Sequence, residues 1–282
     1  MTSQTGEPQR SATIRRMTQA AFDSAVGVAT GEPTAGAEDP ALWAELETAG
    51  LAAGRALLPA WSDALAASLA APVQIKIVAR EGEVSFESEI SLLPGLGLCR
   101  TQRVALRTTP TAYEPVSREE AVELVAFPPE ELWLAVRRVL PPRDALRAPQ
   151  HVTPPSRQRD LKVAPEAVEH LAARLEGDPL GRTPAEILET APELDPELRA
   201  VLAGGSAEVA LLVGAVTSPD DVTPVGACRW TVVGEQLYSL RSTPESVAVV
   251  AVEDGDLAAD LIWYVTGAYD LVSEIATRAA RR

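Results

Sequence analysis

The stretch VQIKIVAREGEVSFESEI, residues 73–90, is where the period of this chain changes, and it sets the fold class. Val73, Ile75 and Ile77 alternate with Gln74 and Lys76, the two-residue repeat of a strand. Arg80, Glu81 and Gly82 supply a turn. Beyond it Val84, Phe86, Ser88 and Ile90 point one way, and Ser85, Glu87 and Glu89 the other. The pattern predicts an antiparallel hairpin with one wet face. Val104, Leu106 and Thr108 suggest a third strand, and residues 122–127 a fourth.

Upstream the period is helical. Residues 17–29 predict a helix. Asp39 and Pro40 begin a second in the favoured way, an N-cap followed by proline in the first turn. Leu42, Trp43, Leu46 and Ala49 form its apolar stripe, and Gly50 ends it. A third helix covers about 59–70, with Trp61, Leu65 and Leu69 four residues apart, and Pro72 stops it. Downstream, Pro128 and Pro129 open a helix over 130–140.

The proline-rich stretch 143–164 reads as a linker, after which the order repeats. Residues 164–175 are helical, Thr183-Pro184-Ala185-Glu186 is a capping box, and Asp195-Pro196 starts another helix. Strands follow at 209–216, 227–233, 236–241 and 247–252, and Asp254 and Asp256 lead into a final helix. Its stripe is Leu257, Leu261, Val265, Ala268, Val272 and Ile275. Residues 122–127 align with 247–252, and each precedes a helix carrying one tryptophan, Trp133 or Trp263. The expected fold class is α+β and internally duplicated: two pseudo-twofold-related subdomains, each with an antiparallel sheet of about four strands flanked by helices. Convergence on a common pattern is the alternative. The expected units are a disordered tail at 1–16, subdomains at 17–142 and 165–282, and the linker between them.

Composition narrows the function. The 282 residues carry a net charge of −15, with 18 acidic against 12 basic residues up to 142 and 22 against 13 beyond. Both halves are acidic, which disfavours nucleic acid and anionic membranes as partners. Lys76 and Lys162 are the only lysines and asparagine is absent, a bias of high-GC bacterial coding. Cys99 and Cys228 are too few for a disulfide framework. The polar start lacks a secretory signal, and Asp260 and Asp270 interrupt the most apolar late stretch, so a cytoplasmic protein without membrane insertion is expected.

Chemistry-bearing motifs are sparse. His151 and His170 are the only imidazoles, and the sequence holds no GxSxG, HExxH or paired CxxC. Residues 95–99 only begin a phosphate-loop pattern. Glu119, Glu120 and Glu123 read as a solvated face, Asp220 and Asp221 as a turn, and Asp254 and Asp256 as helix caps. No catalytic site, metal or cofactor is expected. The unusual segment is LLPGLGL, residues 92–98, four leucines at what reads as a loop tip. It is either a partner-binding protrusion or a tip folded onto the protein's own helices. Trp263, Tyr264 and Tyr269 flank the final helix's stripe, where at least one should touch a sheet or a partner.

PALWAELETAGL (40–51), LPAWSDAL (58–65) and LAAPV (69–73) together resemble the EspG family of actinobacterial type VII secretion. The resemblance implies a non-catalytic cytosolic chaperone. Such a protein binds PE–PPE-like heterodimers and keeps them soluble for export. It places the contact at the loop between the second and third strands of the first half and at the C-terminal helices, here Leu92, Leu93, Leu96 and Leu98 with Trp263, Tyr264 and Tyr269. The alternative is a small-ligand or sensory module using the sheet's concave face.

Overall fold

Residues 73–81 pair on one side with 84–93, as the hairpin pattern requires, and on the other with 207–215, and that second pairing decides the architecture. The computed structural model describes residues 13–32, 38–108, 113–150, 160–163, 198–199, 201, 205–218, 221–243 and 246–281, with the backbone alone at 160–163, 218, 241–243 and 246–248. The first half runs β1 (Thr13–Thr18), α1 (Gln19–Thr30), α2 (Pro40–Thr48), the short ribbon β2 (Ala52–Ala53) and β3 (Ala56–Leu57), then α3 (Pro59–Ser68). It continues with β4 (Val73–Glu81), β5 (Val84–Leu93), β6 (Leu96–Thr108), β7 (Tyr113–Phe127), α4 (Leu132–Val139) and α5 (Asp144–Arg147). The second half contributes β8 (Asp160–Val163), β9 (Ala207–Ser218), β10 (Asp221–Val233), β11 (Gln236–Thr243), β12 (Ser246–Val252) and α6 (Asp256–Ala280).

The described strands other than β2 and β3 form one ten-stranded antiparallel sheet, ordered β1-β7-β6-β5-β4-β9-β10-β11-β12-β8. This corrects the expectation of two sheets of about four strands. The halves share a single sheet, joined where β4 meets β9, with five strands on each side. Reading outward from that seam, the chain order is the same in both directions. Such an order fits duplication and convergence equally. The expected helices at 164–175 and from Thr183 lie outside the described residues.

Two further segments differ from expectation. Residues 13–16, read as tail, belong to β1, which pairs with β7. The stretch read as linker contains α5, whose Ala145 and Leu146 are buried, and β8, which pairs with β12.

Local chemistry explains the helix starts. The Asp39 carboxylate accepts the Ala41 N–H at 2.8 Å, and the Thr18 hydroxyl accepts the Ala21 N–H at 3.2 Å. Alternation sorts the sheet's faces. Ile75, Ile77, Val209, Leu211 and Val213 point to the face covered by α4, α5 and α6. On the opposite face, α1, α2 and α3 cover Met17, Val122 and Leu124 in the first half. Leu198 and Val201 cover Tyr238, Val249 and Ala251 in the second. α6 is anchored where it begins: Trp230, with no exposed surface, donates its indole N–H to the buried Asp256 carboxylate at 2.8 Å. That carboxylate also complements the positive end of the helix.

Candidate functional site

The structure separates the apolar segments that the sequence offered as partner contacts. The β5–β6 turn consists of Pro94 and Gly95 alone, with Gly95 at φ 75°, a conformation that favours glycine. Leu93 pairs with Leu96 and Leu92 with Gly97, so the leucines belong to the strands. Leu92, Leu93 and Leu98 are 2%, 7% and 3% exposed. Leu93 and Leu98 pack with Ala64 and Ala71 beneath α3, where Trp61 and the half-buried Leu96 close the cluster. Leu92 lies on the other face, within the main core beside Phe127. The Phe127 ring lies over Gly97, where a Cβ would stand 2.4 Å from it. Of the two readings of this segment, the partner-binding protrusion is corrected and the tip folded onto the protein's own helices agrees with the structure: Leu92, Leu93 and Leu98 are covered, on one face of the strands or the other. The missed β1 also shifts the strand count. In the sheet, the connection between the second and third strands of the first half is the turn at Gly82 and Glu83, between β4 and β5.

The C-terminal residues behave differently. α6 has 25 residues and spans about 37 Å. Leu257, Leu261 and Ala268 are buried against the sheet, and Val265 and Val272 pack beside them. Tyr264 turns inward and its ring lies over Gly226, where a Cβ would stand 2.1 Å away. Tyr269 is half-buried, and burial raises its phenol's pKa. Trp263 points out, 74% exposed, beside Ile262 at 43%. Thr266 and Asp270 continue that exposed side, and beyond Val272 only Ile275 keeps partial cover. Of the seven candidate residues, Trp263 alone presents a large apolar surface to solvent.

Clefts among the described residues flank the sheet. One, of about 510 Å³, lies between α1, α3 and the floor of β4–β6, with Phe22, Val26 and Leu69 on its apolar side and Lys76, Glu89 and Arg100 on its polar side. Another, of about 340 Å³, lies beside α4. It contains Glu119 and Glu123, which read from sequence as solvated carboxylates. Glu119 pairs with Arg103, and Glu123 with both Arg16 and Arg138. This gathering of arginines escaped the sequence reading because it depends on cross-strand register. Among the described residues, no group of three or more His, Cys, Asp or Glu could hold a metal ion, and no helix is long and apolar enough to cross a membrane. His151 and His170 lie outside the described residues. Burial pushes the Cys99 thiol up to about 11.

No protein-family model matches the chain, and no curated protein does. Among solved structures, it matches the Mycobacterium tuberculosis type VII secretion system chaperone EspG5 in complex with the PE25–PPE41 dimer, with a TM-score of 0.57. The match covers 92% of this chain and 96% of that chain, at 9% sequence identity. The chain shares its fold with a type VII secretion chaperone. The likeness to EspG5 covers residues from both halves of the sheet. At 9% identity the likeness shows the fold alone.

Proposed function

We propose that this protein is a non-catalytic cytoplasmic chaperone or adaptor of type VII secretion. It binds a secreted PE–PPE-like heterodimer and keeps it soluble for export. The observation that carries the reading is the EspG5-like fold over nearly the whole of both chains. The outer face of α6, centred on Trp263 and Ile262, is the contact. A large, exposed aromatic on a rigid helix is the kind of anchor that dominates protein interfaces, and the buried underside of α6 fixes its direction.

The test is a pull-down from native cytosol with the full chain as bait, followed by mass spectrometry. Recovery of a PE–PPE-like pair, repeated by co-expression and size exclusion with the purified components, supports the reading. Failure of any such pair from the same organism to co-elute contradicts it.

A further inference from the structure

α4 and α6 follow the last central strand of their halves, β7 and β12, and lie on the same face of the sheet, yet α4 has only 8 residues. Pro141 and Pro142 stop it, since neither can continue the helical hydrogen-bond ladder. The strands beyond its end keep an open cleft of about 340 Å³ on that face, within the size range of small-molecule sites.

The cleft has three kinds of surface. Phe86, Val125, Ala135 and Val139 make an apolar wall. At the floor, Thr101 is 9% exposed and shares a 3.0 Å hydrogen bond with the buried Ser88 hydroxyl. At the rim stand Arg16, Arg103 and Arg138 with Glu119 and Glu123, a formal excess of one positive charge on a protein of net charge −15. The carboxylates are committed. Arg16 donates to Glu123 at 2.7 Å, Arg138 stands 3.6 Å from the same carboxylate, and Arg103 donates to Glu119. Each guanidinium carries five N–H donors, and two carboxylates engage only a few of them. Arg138, at 3.6 Å, is beyond hydrogen-bond range of Glu123.

We propose that this cleft binds a small organic monoanion, a carboxylate on a compact apolar body. The carboxylate accepts from Arg103 and Arg138, whose planar forks match its geometry. The apolar body lies against Phe86 and Val139. A monoanion neutralises the excess charge, whereas a larger or dianionic group would confront Glu119 and Glu123. This proposal is independent of the secretion reading and stands or falls without it.

The test uses the full chain and 4-fluorobenzoate as probe, followed by fluorine NMR, with 4-fluorobenzamide as the neutral control. We expect saturable binding of the acid, at least about tenfold weaker binding of the amide, and weakening as salt rises from about 0.05 M to about 0.5 M. Arg138→Ala weakens the acid by about tenfold or more, and Arg138→Lys, which keeps the charge and loses the fork, falls between. Melting temperatures of both variants, measured alongside, match the wild type because Arg138 is at the surface. No saturable binding, equal binding of acid and amide, or undiminished binding by Arg138→Ala overturns the proposal.

Discussion

The β5–β6 turn and the outer face of α6 are both apolar, and the first is the more apolar of the two. Four leucines crowd into residues 92–98, whereas α6 shows solvent only Ile262 and Trp263 among its large apolar side chains in the described residues. Yet Leu92, Leu93 and Leu98, in the strands that flank the turn, are buried on both faces of the sheet, and the sparser helix face is open. Apolar density in a short segment does not say which way it faces. What covers it decides, and here α3 and the core beside Phe127 cover the leucines on either side of the turn. Nothing among the described residues covers Trp263 to a comparable extent. Density builds a core, while an isolated aromatic on a helix whose opposite side is fixed leaves a surface for another molecule.

The largest effect expected follows from that contrast. Leu93→Asp places an unpaired charge beneath α3 and costs several kcal/mol, enough to leave the protein largely unfolded in urea titration. Were Leu93→Asp as stable as wild type, the turn would be open and the contrast with α6 would disappear.

Much of the fold was legible because local rules agree with the global structure. Asp39-Pro40 marks the start of α2, the 73–90 alternation gives β4 and β5, and the three- and four-residue stripe gives α6. What escaped has physical reasons. β1 is an edge strand carrying Arg15 and Arg16, and a charged edge reads as tail. The β4–β9 pairing joins residues more than a hundred positions apart, which no local pattern encodes. Residues 92–98 leave open whether the leucines protrude or fold inward, because the alternation fails where both faces are covered. Their continuous apolar run was the available signal of a strand buried on both sides. For the candidate site, sequence supplied Trp263 but could not tell it from Tyr264, its inward-facing neighbour. That distinction needs the glycine at 226 on a distant strand.

A second experiment asks whether the strand entering from that turn is as well covered on its α4 side. Cys99, directly after Leu98, is 2% exposed, and burial raises its thiol from the ordinary 9.0 to about 11. The unfolded chain then gives up this proton first. The contribution is fully present below pH 9 and is lost as pH rises through about 11, to a total of about 3 kcal/mol. Denaturant titrations between pH 8 and pH 11 should show this loss in the wild type relative to Cys99→Ala. Parallel pH profiles for the two proteins would mean that the thiol is solvated.

A smaller effect sharpens the description of α6 itself. Gly226→Ala puts a methyl group against the Tyr264 ring and costs about 1–3 kcal/mol in thermal or urea unfolding. A neutral result would show that α6 is not seated closely on β10, so that its outer face has no fixed direction.

The most direct measurement of the central claim is the affinity of Trp263→Ala for the captured heterodimer, by calorimetry, with melting temperatures measured in parallel. At 74% exposure the substitution shifts stability by no more than about 0.5 kcal/mol, while binding weakens by about 2 kcal/mol or more. Wild-type affinity in a normally folded Trp263→Ala protein would contradict the assignment of α6's outer face as the contact.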